Sequence, residues 1–203
     1  MRKVLFILII FIAATTISLA QFYRVGSGFV ISLPADNVKF GGGFEVFVEY
    51  KNESIFSFRT NGGFVITKFE DVNPYVSDID YSLYWLDGSV ILTPFKIIFE
   101  PYLGAGIGYY FFSTEEFNEV STATGIYFPQ KLSNKFSYHV KAGFTIPLNE
   151  SIKLHLQGKY LLMDRTIIVN AEEIVNDEIR KSTIEEKFDL SNLFITAGII
   201  LKI

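Results

Sequence analysis

The sequence predicts an all-β fold, an eight-stranded antiparallel up-and-down transmembrane β-barrel of the outer-membrane type, and three observations lead to it. Eight segments alternate bulky apolar residues with small or polar ones, a period of two that is typical of strands with one apolar face. Short turns alternate with longer polar connections, as in outer-membrane barrels. The first 20 residues have the pattern of an export signal. A barrel that leaves the cytoplasm accounts for all three.

The N-terminal segment has the three parts of a secretory signal peptide. A basic start at Arg2 and Lys3 precedes an apolar core over residues 4–14 and a small-residue end over residues 18–20. A membrane-anchor helix is the alternative, but the apolar run is shorter than the ~20 residues that span a bilayer. We therefore expect residues 1–20 to be a signal peptide, cleaved before Gln21, and residues 21–203 to form the barrel domain.

The composition favours strands and limits the partners. Hydrophobic residues make up 49% of the 203 residues, and the 21 Phe and 11 Tyr favour β-structure over helix. Loss of Arg2 and Lys3 changes the formal charge from −4 to −6, and this acidity argues against a nucleic-acid partner. The absence of cysteine excludes disulfides and a lipidated cysteine.

Strand-like alternation recurs in eight segments, at residues 22–33, 38–50, 54–68, 79–92, 96–112, 136–148, 152–163 and 193–203. The stretch EPYLGAGIGYYF at residues 100–111 shows it best, because Leu103, Ala105 and Ile107 alternate with glycines. Successive side chains leave a strand on opposite faces, so one face is bulky and the other nearly bare. Glycine on one face marks a place where something large must fit.

One segment breaks the alternation. The apolar face of the segment 79–92 is expected to begin with Ile79, Tyr81, Leu83 and Trp85. Beyond Asp87 and Gly88 the apolar residues Val90 and Leu92 have the opposite parity. An extra residue in one strand reverses the parity in this way, so the sequence predicts a β-bulge near residues 87–88.

The connections differ in length between the two rims of the predicted barrel. Short turns are expected at residues 51–53, 93–95 and 149–150, a short link at 34–37, and longer connections at 69–78, 113–135 and 164–192. The last connection has eight acids and four bases, and its AEEIVNDEIRK portion is a candidate helical turn. An acidic outer loop of this kind either binds divalent cations that bridge lipopolysaccharide or is simply solvated.

The apolar face is expected to point outward, into lipid. A secreted lipocalin-like barrel would turn the same face inward, but an eight-stranded barrel has an interior just wide enough for side chains. Nearly every strand supplies several Phe, Tyr, Leu or Ile residues, which would not fit there. The glycines then make room in a narrow, polar lumen, and membrane lipid and lipopolysaccharide become the expected surroundings.

The inward face carries charges from most of the strands. Unpaired charges in so narrow a space are costly, so we expect a hydrogen-bonded ion network that fills the lumen. The residues predicted for this lumen charge network are Arg24, Glu45, Glu49, Arg59, Glu100, His139, Lys141, His155, Lys159 and Lys202.

Toward the outer mouth the inward residues become apolar. These residues are Tyr110, Phe112, Leu161, Met163 and Phe194. They form either a small pocket for an apolar ligand or a packed cap beneath the loops.

The sequence gives little reason to expect catalysis. Ser137 precedes His139 on one predicted face and His155 lies on the next strand, so a nucleophile and base are conceivable there. Two histidines in a polar network explain the same residues more simply. GAGIG is strand alternation, since no helix follows it, and no metal-ligand spacing appears. We therefore expect a non-enzymatic protein without cofactor or metal.

Two stretches resemble a known family. LTPFKIIFEPYLGAGIGYYF, followed by FSYHVKAGFTIPLNESIKLHLQGKYLLMD, resembles the OmpW-type small outer-membrane barrels over residues 92–164. The resemblance implies an eight-stranded barrel and the passage or binding of small hydrophobic molecules. It carries Pro101, Tyr102, Gly104 and Gly106 as structural positions only.

These features lead to three functional hypotheses. The first is a monomeric minor channel or binding route for small hydrophobic solutes in the outer membrane of a diderm bacterium, inserted by the barrel-assembly machinery. The second is a structural or adhesive barrel with a sealed polar lumen and functional extracellular loops. The third and most distant is a lipid-modifying enzyme that uses His139.

Overall fold

The fold was analysed in a computed structural model. It describes residues 23–34, 39–51, 55–69, 79–95, 98–114, 120–121, 125–129, 134–175, 178–189 and 191–203. The predicted signal peptide lies outside these residues. Among them there is no helix of the length and apolarity that crossing a membrane requires.

Strands account for most of the described chain. Their bounds are β1 Tyr23–Pro34, β2 Gly41–Lys51, β3 Phe56–Phe69, β4 Ile79–Leu92, β5 Glu100–Thr114, β6 Val120–Ser121, β7 Gly125–Pro129, β8 Lys135–Pro147, β9 Ile152–Leu162, β10 Asp164–Val175, β11 Glu178–Asp189 and β12 Asn192–Lys202. Eight of them close a barrel in the order β1-β12-β9-β8-β5-β4-β3-β2, and neighbours are antiparallel throughout. The predicted eight-stranded antiparallel barrel is confirmed.

The two rims differ as the sequence predicts. The links 52–55, 93–99 and 148–151 lie at the rim where both chain ends meet, with Arg24 opposite Lys202. The links 35–40, 70–78, 115–134 and 163–191 lie at the other rim. Short turns face the periplasm in outer-membrane barrels and longer loops face outward. Following the predicted outer-membrane barrel, we call the first rim the periplasmic end and the second rim the outer mouth.

The last predicted connection is mostly strand. Strand β10 begins two residues after β9 ends, and β11 ends shortly before β12 begins, so a hairpin continues these two barrel strands. With β7 and β6 it forms a four-stranded sheet in the order β11-β10-β7-β6. The helical turn predicted within residues 171–181 is wrong, because all its described residues belong to β10 and β11. Charged residues occur on both faces of this hairpin, so its sequence lacks the alternation of apolar and polar residues that marks the other strands.

The barrel wall is apolar outside and polar inside. Phe29, Phe58 and Tyr138 project outward and are 75%, 62% and 68% exposed when no lipid covers them. Arg59 and Lys159, by contrast, are buried at 2% and 0%. This is the reverse of a soluble barrel and the arrangement that a lipid-facing wall requires.

Strand β4 has no bulge where one is predicted. Its register with β3 runs unbroken from Leu92 to Ile79. Leu83 and Trp85 are buried, whereas Tyr84 and Leu86 face outward and are largely exposed. The prediction failed because it assigned Leu83 and Trp85 of this segment to the lipid face, although they belong to the apolar part of the lumen near the outer mouth.

Inward glycines provide the space that the lumen side chains occupy. A Cβ on Gly63 would lie 2.5 Å from the Trp85 ring, and one on Gly106 would lie 2.7 Å from the His139 ring. The outward Gly88, in contrast, has no atom within 4 Å of a Cβ placed there. The bare face recognised in the sequence is therefore a packing requirement of the lumen.

Candidate functional site in the barrel lumen

The periplasmic end of the lumen is organised around one carboxylate, Glu100, at the start of β5. Its Oε1 accepts a hydrogen bond from Lys153 Nζ at 2.6 Å, and its Oε2 accepts one from Arg24 at 3.3 Å. Thr145 donates to the same Oε2, and Lys51 Nζ lies 3.9 Å away. Four different barrel strands thus supply cations or donors to one acid.

Above this acid lies a fully buried arginine, Arg59 on β3. Its Nε and Nη2 donate to Glu49 Oε2 at 3.0 and 2.5 Å. The guanidinium also stacks between two rings, 4.3 Å from the Phe47 centroid and 4.8 Å from that of Tyr102. An ion pair with two hydrogen bonds to one carboxylate oxygen, held between aromatic rings, fixes the charge in position.

The arginine reaches across the lumen to β5 and β9. Its Nη1 donates to Tyr102 Oη at 3.3 Å and to Gln157 Oε1 at 3.1 Å. Tyr102 Oη lies 2.6 Å from His155 Nε2, and the two rings stack with centroids 5.9 Å apart. These contacts connect opposite walls of the barrel and close its centre.

A second set of charges lies closer to the outer mouth. Lys159 Nζ donates to Glu45 Oε2 at 3.2 Å and to Asp87 Oδ2 at 3.1 Å. Lys141 Nζ donates to Asp87 Oδ1 at 3.4 Å and to Asn61 at 3.3 Å. Two carboxylates thus face two ammonium groups, so their formal charges cancel, and we call these four charged residues the central cluster.

His139 joins the central cluster through a residue that the sequence did not suggest. Its Nε2 lies 3.0 Å from Ser89 Oγ and 3.6 Å from Asp87 Oδ1. The hydroxyl paired with His139 therefore belongs to β4 and not to Ser137. All three side chains are buried beneath the outer mouth, which is typical of a structural network.

An aromatic layer covers the central cluster. The rings of Trp85 and Phe194 stack with centroids 5.3 Å apart and an interplanar angle of 21°. Lys159 Nζ lies beneath both, 4.2 Å from the Trp85 centroid and 5.3 Å from that of Phe194. Tyr110 and Leu161 are completely buried in the same half of the lumen. We call Leu83, Trp85, Tyr110, Leu161, Met163 and Phe194 the outer aromatic layer.

The structure brings most of the predicted site residues together. Arg24 and Glu100 meet at the periplasmic end, Glu49, Arg59 and His155 in the middle, and Glu45, His139, Lys141 and Lys159 around Asp87. Lys202 is different, since it is exposed at the last position of β12. It has the inward parity, but the barrel wall ends there.

The residues predicted for the outer mouth are also found together, with one exception. Tyr110, Leu161, Met163 and Phe194 are buried. Phe112 is only partly buried, and its backbone N–H donates to the Asn134 side chain at 3.0 Å. Of these residues, Phe194 stacks on the Trp85 ring.

Sequence reasoning missed several partners that complete the site. Asp87 was overlooked because the predicted bulge fell on it, and Trp85 because it was assigned to the lipid face. Tyr102 and Gln157 had the correct inward parity, which was the available signal, but parity does not say which residues meet across the barrel.

No metal site accompanies these charges in the part of the chain that the structure describes. There, no group of three or more His, Asp or Glu side chains is placed to hold a metal ion.

On the outer hairpin, the Glu172 carboxylate accepts a 2.6 Å hydrogen bond from Lys181 and thereby raises the pKa of that ammonium group.

The known proteins that this chain resembles are outer-membrane proteins. The sequence model of the OmpW family matches residues 94–198, more than half of the chain. The chain belongs to the OmpW family. No curated protein sequence matches it.

Solved structures of OmpW-like shape share the fold at low sequence identity. OprG from Pseudomonas aeruginosa superposes with a TM-score of 0.67 at 16% identity, over 91% of this chain and 96% of OprG. Neisserial surface protein A gives 0.54 at 12% identity, over 90% and 96%. A major outer membrane protein from Thermus thermophilus gives 0.50 at 14%, over 88% and 98%. This OmpW-family chain is accordingly an outer-membrane protein of a bacterium.

Proposed function

We propose that the barrel binds small hydrophobic solutes at its outer mouth and provides a route for their entry into the outer membrane. The observation that carries the proposal is the outer aromatic layer, where Trp85, Tyr110 and Phe194 point into the lumen instead of into lipid. Because these side chains point into the lumen, they do not contact lipid, and lipid contact does not explain why they are apolar. Their position at the mouth suits the recognition of apolar ligands, which bind in sites lined by aromatic side chains.

The polar network below the layer is proposed to block the flow of ions. Glu49, Arg59 and Tyr102 join one wall of the barrel to the other, and Lys159 and Asp87 do so one level higher. An ion that enters the lumen would lose its hydration, and charges that are already paired with one another would not compensate for this loss. A solute bound at the mouth would then leave by another path than the centre of the lumen.

Planar-bilayer recording tests the sealed lumen. Refolded mature protein is expected to give no steady channels, and Glu100→Ala is expected to give none either, because the networks around Arg59 and Lys159 remain. Reproducible conductance that changes in Glu100→Ala would contradict the sealed lumen and support a channel.

Uptake of hydrophobic probes tests the binding route. Phe194→Ala and Leu161→Ala should lower both binding in detergent and uptake by cells, because each removes part of the layer. Tyr138→Ala is the matched control, since Tyr138 is an aromatic residue of the lipid face. Unchanged binding and uptake in both layer variants would eliminate the proposed route.

A second candidate function is adhesion by the extracellular strands. It is supported by the β10–β11 hairpin, which carries exposed Ile179, Arg180 and Lys181 beyond the barrel rim. A barrel shortened to remove residues 165–188 should then lose attachment to host or abiotic surfaces but keep probe binding. The opposite pattern would leave the solute route as the better account.

Export, assembly and chemistry complete the proposal. Residues 1–20 are proposed to direct export and to be removed before Gln21, which N-terminal sequencing of the membrane form would test.

We propose that the barrel-assembly machinery inserts the barrel as a monomer among lipid and lipopolysaccharide. It is proposed to act without cofactor and without catalysis, and lipid hydrolysis that is lost in His139→Ala would argue for an enzyme.

A further inference from the structure

We propose that the preferred ligand of the outer aromatic layer is a neutral amphiphile, an apolar chain with one uncharged hydrogen-bond acceptor such as a ketone. Trp85 Nε1 and Tyr110 Oη would bind this acceptor together. The inference rests on the proposed function, which requires only that apolar molecules bind at the mouth, and it adds the chemical class of the ligand.

Two buried polar atoms in the layer lack partners. Among the described residues, Trp85 Nε1 and Tyr110 Oη have no hydrogen-bond partner, although Trp85 is 3% exposed and Tyr110 is 0% exposed. Buried indole N–H and phenol O–H groups normally find a partner, because leaving them unpaired costs free energy. A ligand that supplies an acceptor would remove this cost.

Tyr102 provides a comparison for the unpaired phenol of Tyr110. Tyr102 lies on the same strand β5 and also points inward, and its Oη contacts Arg59, His155 and Gln157. The barrel is thus able to satisfy a buried phenol fully. Asn61, His139 and His155 also carry one unpaired nitrogen among the described residues, but a second polar atom of each is hydrogen-bonded. Trp85 and Tyr110 differ because the unpaired atom is the only polar atom of the side chain.

The two atoms belong to neighbouring side chains. Trp85 on β4 and Tyr110 on β5 are direct cross-strand partners, and both point into the outer half of the lumen. Phe194 closes the layer by stacking on the Trp85 ring. An incoming chain would separate this stack, lie between the two rings and place its acceptor beside the indole and the phenol.

The charge balance beneath the layer favours a neutral head group. Lys159 is the cation under the rings, but its ammonium group already donates to both Glu45 and Asp87. Lys141 balances the second carboxylate, so the central cluster offers an anionic ligand no net attraction. A carboxylate would lose its hydration without gaining an unpaired cation.

The sequence supplies a reporter at the site, because Trp85 is the only tryptophan of the chain. Its fluorescence and the single indole N–H resonance of ¹⁵N-labelled protein report directly on the layer. We would titrate refolded mature barrel with a straight-chain methyl ketone, the alkane of equal carbon number and the fatty-acid anion of equal carbon number.

The ketone is expected to bind about two- to tenfold more tightly than the alkane, the range that one hydrogen bond supplies, and to shift the indole N–H downfield. The anion should bind more weakly than the ketone. Tyr110→Phe should reduce the preference for ketone over alkane. Tyr138→Phe, which removes a phenol from the lipid face, should retain it.

The outcomes separate the two proposals. Equal affinity for ketone and alkane, with no difference between Tyr110→Phe and Tyr138→Phe, would overturn the neutral amphiphile but leave the hydrophobic route intact. Tighter binding of the anion would overturn the neutral head group. Failure of all three ligands to perturb Trp85 in a correctly folded barrel would remove both this inference and the proposed function.

Discussion

The polar lumen and the outer aromatic layer belong to the same barrel, but their buried polar side chains are hydrogen-bonded differently. In the polar lumen, Arg59 and Lys159 each reach several acceptors, so their charges are met within the protein. In the layer, Trp85 and Tyr110 each have a single polar side-chain atom, and neither atom has a partner among the described residues. In the polar lumen, Asn61, His139 and His155 also carry one unpaired nitrogen, but a second polar atom of each is hydrogen-bonded. The protein itself therefore ties these lumen side chains into a network, whereas the two layer donors are paired only when a ligand is added.

The difference separates stability from recognition. A network whose members satisfy one another rigidifies a barrel, and removing one member leaves its partners buried and unpaired. An unsatisfied apolar layer contributes less to the fold and can rearrange around a ligand. Substitutions in the two regions should consequently affect different measurements.

The largest expected effect is the loss of the buried arginine. Arg59→Ala leaves the Glu49 carboxylate buried without the guanidinium that donates to it, and breaking such a pair costs about 3–5 kcal/mol of unfolding free energy. Urea unfolding in detergent or lipid, followed by gel mobility, would measure it. A loss below about 1 kcal/mol would mean that the network does not hold the polar lumen together.

Two tyrosines of β5 provide a sharper test. Tyr102→Phe should destabilise the barrel by about 1.5–3 kcal/mol, because the hydroxyl bonds to the charged Arg59. Tyr110→Phe should leave the unfolding free energy unchanged or raise it, since the Tyr110 hydroxyl has no partner among the residues that the structure describes. Comparable destabilisation of both variants in the same urea titration would abolish the distinction between the two regions.

Two glycines test the inside of the wall against its outside. Gly106→Ala places a methyl group against His139 and the Gly88 carbonyl oxygen and should cost about 1–3 kcal/mol through overpacking. Gly88→Ala adds the methyl group on the lipid side, where nothing lies within 4 Å, and should be neutral or stabilising. Equal unfolding midpoints for both variants would contradict the packing role of the inward glycines.

The smallest effect is expected beyond the barrel rim. Lys181→Ala removes the exposed ion pair with Glu172 and should leave the unfolding midpoint unchanged. In the companion variant Glu172→Gln, the pKa of Lys181 should fall toward its ordinary value, because the carboxylate that raises it is gone. An NMR titration of the lysine side chain measures this; an unaltered pKa would show that the pair does not form in solution.

The sequence predicts the barrel well because each strand repeats one physical rule. Phe58 faces lipid and Arg59 faces the lumen simply because they are successive residues of a strand. The same rule misplaced Trp85, since it equates apolar with outward and the outer lumen is apolar. Pairings such as Lys159 with Asp87 could not be predicted from the sequence, because they depend on the stagger and tilt of strands that are far apart in the chain.

The seam between β1 and β12 determines how the barrel can form. These are the first and last strands of the barrel in chain order, and they pair from Arg24 opposite Lys202 to Pro34 opposite Asn192. Until they meet, every partly formed sheet has two open edges, whose backbone groups cannot be left unpaired in hydrocarbon. Contacts between residues so distant in sequence also form slowly. The two edges must therefore be paired by each other or covered by another protein while the barrel enters the membrane, and the seam itself can close only after the last strand has been synthesised.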